Sequence, residues 1–479
     1  MFRLADVLEA LTKERPIEAD MVITEASVDS RQVIPGSLFV ALPGERTDGH
    51  NFISDAFNRG ACAALVQKDV SAIFPMIDIR SGALPSPLEI PETPFCLWVE
   101  DSLAALQQIA RFWRRKLNIR VIGITGSVGK STTKELVAEV LSQRFHTLKS
   151  SGNLNNEIGL PLTLLRLSQG HERAVLEMGF YKPGEISFLC DLALPQVGVI
   201  TNVGTVHAER AGSQEDIARG KAELVQALPP APEGIAILNM DDPLVRQMAD
   251  QAQARVFFYG LDPKADLWAD DVESIGLEGI RFRLHYLNEV LHVRVPLIGR
   301  HSVHTSLRAA AVGLIDGLTW QDIVSGLQMG HAQQLRLVAV HTDSGALILD
   351  DTYNASPEST LAALNLLEEL DGRKVAVLGD MLELGPYEKQ GHEMVGARAA
   401  EIVSSLVLVG ERSLITAEAA GQAGLATSAI HWFATSQEAT DFLKHELGSG
   451  DVVLVKGSHG MRMDRIVTSL ESANSEEVS

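Results

Sequence analysis

The sequence predicts an α/β protein of three domains: an N-terminal domain, a central phosphate-loop domain on a parallel sheet, and a Rossmann-like C-terminal domain. Three observations carry this. The 479 residues exceed what one hydrophobic core holds. Short apolar runs alternate with helical stretches through most of the chain, the pattern of parallel strands covered by helices. One such run, 120–125, passes straight into a glycine turn and then a helix.

The first domain is placed at residues 1–117. It mixes strand patterns at Ser37–Leu42 and Ala63–Val66 with helix patterns at Ile53–Asn58 and Leu103–Lys116. Residues 81–94 hold Pro85, Pro87, Pro91 and Pro94 and read as a surface loop. The second domain, 118–333, has strand patterns at Arg120–Thr125, Ala174–Met178, Val197–Asn202 and Ile235–Asn239, with a helix near Lys130–Arg144. The third, 334–479, repeats the alternation with Ala346–Asp350, Lys374–Leu378, Leu406–Val409 and Val452–Val455. It lacks the glycine fingerprint of a dinucleotide-binding fold.

Charge and composition narrow the function. The 62 acidic against 41 basic residues leave a net charge of −21, which disfavours nucleic acid and anionic membranes as partners. Cys62, Cys96 and Cys190 show no metal-ligand spacing and read as thiols of a reducing compartment. The start of the chain reads as a helix containing Asp6, and no apolar run has membrane-spanning length. These features predict a cytoplasmic protein without membrane insertion.

The chemistry concentrates on Thr125-Gly126-Ser127-Val128-Gly129-Lys130-Ser131-Thr132. The ending Gly-Lys-Ser fits the phosphate-loop pattern G-x-x-x-x-G-K-[ST], although position 124 is Ile and the first glycine comes late. Glycines let backbone N–H groups converge on an anion, and the helix N-terminus adds positive potential. Lys130 would meet the β- and γ-phosphates of ATP, and Ser131 would offer its hydroxyl to Mg²⁺. Glu177 at a strand's carboxyl end reads either as a Mg²⁺ ligand or as a solvated strand end. His207, by itself, reads as an ordinary loop residue, and Lys221 as a surface lysine of a helix.

Together these segments resemble the Mur ligase family. Asp29-Ser30-Arg31, the stretch Pro35–Leu42 and Asp48-Gly49-His50 match in the first domain. The phosphate loop and the stretch Gly152–Gly159 match in the second; Asp350–Pro357, Leu378–Gly385 and Val455–Ser458 match in the third. Tyr353-Asn354 and Gly379–Gly385 resemble the branch that adds a dipeptide. The resemblance implies ATP-driven amide formation through an acyl phosphate, joining D-alanyl-D-alanine to UDP-N-acetylmuramoyl-tripeptide in peptidoglycan biosynthesis. It implies catalytic roles for Lys130, Glu177, His207 and Lys221. Glu177 and His207 would hold a second Mg²⁺, with Lys221 as a carbamate. Ser30, Arg31, Asp48, Gly49, His50, Asn155 and Asn156 would serve the nucleotide-linked substrate. The alternative readings are an arginine on a solvated loop for Arg31 and a capping aspartate for Asp48. Arg336 would contact phosphate and Asp351 the ATP ribose. Tyr353, Asn354 and Ser356 would face the dipeptide, and Lys456 reads as a carboxylate partner or a plain strand-end lysine. The resemblance further implies a monomer.

Two departures stand out. Val128 occupies a position where many relatives carry Asn. The family's Gly-x-His-Asn-x-x-Asn appears as Gly299-Arg300-His301-Ser302-Val303-His304-Thr305, so two amides give way to hydroxyls. The lost amides leave open a nucleotide-sugar-binding paralogue without turnover; a sibling ligase adding a single amino acid is a separate alternative.

Overall fold

The structure is a computed structural model and describes residues 1–44, 47–205, 208–329 and 338–471. Three sheets follow one another along the chain. The first is parallel and five-stranded, in the order Ala26–Ser27, Leu38–Val40, Ala63–Val66, Phe95–Trp98, Met76–Asp78. The helix Ser102–Arg115 packs on it. Asp101 caps that helix by accepting from Leu103 N and Ala104 N at 2.8 and 2.9 Å, and Arg114 and Arg115 lie in its last turn.

The second sheet has nine strands. From Thr147–Lys149 it runs through Arg173–Glu177, Arg120–Thr125, Val197–Ile200, Ile235–Asn239 and Arg255–Gly260 to Leu267–Ser274, all parallel. It then continues antiparallel through Ile280–Tyr286 and Glu289–Val295. The parallel sheet expected from the sequence is thus present, and its edge adds a meander with one face solvated, where the burial of Glu289–Val295 alternates toward its end. The parallel strands are buried on both faces. Val121, Leu176 and Ile200 point into one core, while Ile122, Ile124, Val175 and Val199 point into the other.

The third sheet orders its strands Val338–His341, Leu347–Asp351, Asp451–Lys456, Arg373–Gly379, Ser405–Val409, Ile430–Phe433; its first pair is antiparallel and the rest parallel. Crossover helices connect the parallel strands, so their carboxyl ends collect the loops that form the site.

Candidate active site

The phosphate loop leaves the strand Arg120–Thr125 and enters the helix Lys130–Ser142. Its shape is held from below. Gly126 has φ +149°, and a Cβ there would stand 1.8 Å from Thr201 Oγ1. Gly129 has φ +83° and begins the helix. Ser127 N donates to Asn202 O at 3.0 Å, Val128 N to Asn202 Oδ1 at 2.8 Å, and Thr201 Oγ1 to Val128 O at 2.7 Å. The loop thus takes its polar support from the next strand, at the position where Val128 itself offers none. Thr125 Oγ1 donates to Met178 O at 3.0 Å. Lys130 Nζ lies over the loop, donating to Gly126 O at 2.9 Å and Ser127 O at 3.3 Å.

Glu177 is 1% exposed, which excludes the solvated strand end. Ser131 Oγ donates to its Oε2 at 2.7 Å, and Asn155 Nδ2 to its Oε1 at 2.9 Å. Hard oxygens of Ser131 and Glu177 therefore meet at the start of the helix, a donor set that fits Mg²⁺. Among the described residues no three His, Cys, Asp or Glu converge as a metal cage.

Lys221 corrects the sequence expectation. It is 1% exposed, with Nζ 4.9 Å from the centre of the Phe180 ring. The reason is helical spacing: Ile217, Lys221 and Leu224 share the buried face of the helix Gln214–Ala227. Burial pushes its pKa well below the usual lysine range, and the positive Lys130 adds to this. Its amine therefore gives up its proton more readily than that of an exposed lysine.

The opposite wall comes from the third sheet. One cleft of about 310 Å³ is lined by Lys130, Ser131, Thr132 and Glu177 on one side and by Asp351, Tyr353, Asn354, Ser356 and Lys456 on the other. Lys456 is buried and donates to Asp351 Oδ2 at 2.6 Å and to Asn354 O at 2.9 Å, so it is a carboxylate partner and no solvent-facing lysine. Ser356 caps the helix Pro357–Glu369, accepting from Ser359 N at 3.2 Å. The two walls are joined where Glu358 accepts from Thr205 N and Oγ1 at 3.2 and 3.3 Å.

At the far end of the cleft, Ser302 Oγ donates to Ile298 O at 2.8 Å and Thr305 Oγ1 accepts from Arg308 Nη2 at 2.7 Å. Both hydroxyls thus have protein partners. His301 lines this end. Burial pushes its pKa down to about 4, with His304, Arg308 and Lys456 adding repulsion, so the ring is neutral at pH 7.

The first domain's residues lie on two turns, 30–32 and 49–52, that both pack on the helix Ile53–Asn58. Arg31 is 81% exposed at its side chain and forks onto Asp29 at 2.9 and 2.7 Å. Asp48 caps the second turn, accepting from His50 N at 3.0 Å and His50 Nδ1 at 2.6 Å, and it pairs with Lys68. Gln67 N donates to His50 Nε2 at 3.1 Å, so Nδ1 carries the proton. Lys68 and His50 hold the Asp48 carboxyl well below the usual range. Gly49 lies against Leu42, where a Cβ would meet backbone at 2.7 Å.

Asn155 sits with Glu177, and Asn156 Oδ1 accepts from Gly159 N at 2.8 Å at the start of the helix Gly159–Leu165. Gln107 Nε2 reaches Glu157 O at 3.0 Å and ties this loop to the first domain's long helix. His207 and Arg336 lie outside the described residues, as does the expected boundary at 333/334. Sequence reasoning missed Thr201, Asn202 and Arg308. The first two stand at a strand's carboxyl end, where such loops find support; Arg308 carried no motif.

Comparison with known proteins agrees along the whole chain. The Mur ligase family catalytic domain matches residues 22–114, the Mur ligase middle domain 124–313, and the Mur ligase glutamate ligase domain 335–459. The chain is 36% identical over 462 residues to the UDP-N-acetylmuramoyl-tripeptide–D-alanyl-D-alanine ligase of Bacillus subtilis, covering 96% of this chain and 95% of that protein. A crystal structure of MurF from Acinetobacter baumannii superposes with a TM-score of 0.82 at 31% identity, over 97% of this chain and 98% of that one. MurF ligase from Thermotoga maritima in complex with ADP gives a TM-score of 0.76 at 28% identity, over 94% and 98%.

Proposed function

Because the chain belongs to the Mur ligase family, we propose that it ligates D-alanyl-D-alanine to UDP-N-acetylmuramoyl-tripeptide at the expense of ATP. The products are the pentapeptide precursor of peptidoglycan, ADP and phosphate. The observation that carries this reading is the single cleft in which the phosphate loop faces a wall from the third sheet.

The tripeptide carboxylate attacks the γ-phosphorus, ADP leaves, and an acyl phosphate forms. The dipeptide amine then attacks the acyl carbon, loses a proton and expels phosphate. The first step brings two anions together. Lys130, the loop amides and the helix N-terminus offset their repulsion in a site already shaped for charge. Mg²⁺ fits Ser131 and Glu177 and, when bound, supplies further charge neutralisation to the phosphates. A second Mg²⁺ falls to Glu177, His207 and Lys221. For Lys221 the support is its buried amine, whose pKa burial lowers: once deprotonated, such an amine adds to carbon dioxide, releasing a proton, and becomes an anion where an ammonium could not be a ligand.

Thr125, Gly126, Ser127, Gly129 and Thr132 complete the phosphate cradle, Asp351 takes the ribose and Arg336 a phosphate. Tyr353, Asn354 and Ser356 receive the dipeptide on a wall that excludes water from the acyl phosphate. Ser30, Arg31, Asp48, Gly49 and His50 hold the uridine nucleotide, with Asn155 and Asn156 toward its peptide end. We place the enzyme in the cytoplasm as a monomer; among the described residues no helix is long and apolar enough to cross a membrane.

The test is phosphate release from ATP with UDP-N-acetylmuramoyl-tripeptide. Turnover that requires D-alanyl-D-alanine supports the reading. Turnover driven by single amino acids in its place overturns it.

A further inference from the structure

Arg308 lies in the helix Ser302–Ile315 beneath the phosphate loop and is 4% exposed. Its Nη2 donates to Thr305 Oγ1 at 2.7 Å and its Nη1 to the Tyr259 hydroxyl at 3.2 Å. Tyr259 OH lies 3.1 Å from both Ile200 O and Thr201 O, under the loop. A Cβ on Gly129 would stand 3.3 Å from Nη2, so the guanidinium reaches the turn where the helix begins. Two features make this arginine unusual. Its Nε has no hydrogen-bond partner, and it forms no ion pair among the described residues. A buried cation without a counter-charge carries a desolvation cost, which a bound anion would offset.

We propose that Arg308 is a positioning residue for the nucleotide's phosphate end. It braces the Gly129 turn from below, and the bound polyphosphate is the counter-charge its burial lacks. The same side chain holds Thr305, so it links the two ends of the cleft. The inference rests on the phosphates occupying the loop, as the functional reading holds.

The experiment measures ADP and AMP binding by calorimetry in the wild type, R308M and R308K, together with the melting temperature of each protein without nucleotide. Methionine keeps much of the volume and removes the charge. R308M should lose about tenfold in ADP affinity, a difference of about 1.4 kcal/mol. Its AMP affinity should stay within about twofold, and R308K should recover most of the loss. The nucleotide-free melting temperature of R308M should not fall, because an uncompensated charge has been removed. An unchanged ADP-to-AMP ratio in R308M overturns the proposal. So does an R308M chain that fails to fold or melts far earlier, since the arginine is then a structural part of the core. A wild type that binds no ADP overturns this proposal and the functional reading together, whereas normal wild-type binding with an indifferent R308M overturns this proposal alone.

Discussion

The phosphate loop and the first domain's two turns both carry polar motifs, yet they are built in opposite ways. In the loop, backbone and neighbouring strands do the holding, through Thr201 and Asn202, and Lys130 donates to two loop carbonyls. In the turns the charged groups hold one another: Arg31 is forked onto Asp29, and Asp48 onto His50 and Lys68. The first site is shaped before its ligand arrives. If the second holds the uridine nucleotide as proposed, it must exchange partners to do so, and its binding energy is then partly consumed in breaking contacts already made.

This contrast can be broken or sharpened by substitution. The largest effect belongs to Lys130→Ala, which should lower kcat by at least about a hundredfold with the fold intact by circular dichroism. Near-normal turnover would remove the distinction between the two regions. Next is a pH effect from His301 in the cleft wall. Its folded pKa of about 4 lies below the ordinary 6.5, so between those pH values the unfolded chain binds a proton that the native one refuses. Native stability should therefore be lost as pH falls from about 6.5 toward 4, by a few kcal/mol. In urea titrations His301→Gln should flatten that slope; an unaltered slope would place the cause elsewhere.

A smaller effect is expected for Asn202→Ala, which leaves Val128 N without its acceptor. One buried hydrogen bond of about 1 kcal/mol should cost the loop its rigidity and raise KM for ATP several-fold. An unchanged KM would mean that the loop does not depend on its neighbour. The smallest is Arg31→Ala. Its exposed pair with Asp29 should add nothing measurable to thermal stability, while KM for the nucleotide-linked tripeptide rises roughly threefold. A clear drop in melting temperature with unchanged KM would make that arginine structural.

Much of the central region was legible because its signals are local. Arg120–Thr125 is an apolar run ending in a glycine turn, and the Gly-Lys-Ser of the loop follows at once. The antiparallel edge was not legible: Leu267–Val295 alternates charged and apolar residues, and no local rule says that such strands extend a parallel sheet. Lys221 was misjudged because its chemistry was weighed alone. Its spacing from Ile217 and Leu224 already put it on the apolar face. Lys456 is a different case, since its partner Asp351 is 105 residues away and only the sheet pairing brings them together. Arg308 needed the whole fold, because what makes it notable is the absence, among the described residues, of an ion pair around it.

The central claim is that the 125–132 loop is an anion cradle ready before nucleotide binds. Its most direct test is a crystal structure with a non-hydrolysable ATP analogue and magnesium. The account requires the β- and γ-phosphates to lie within hydrogen-bond distance of the backbone amides of residues 127–132 and of Lys130 Nζ. A triphosphate seated elsewhere, with that loop untouched, would contradict it.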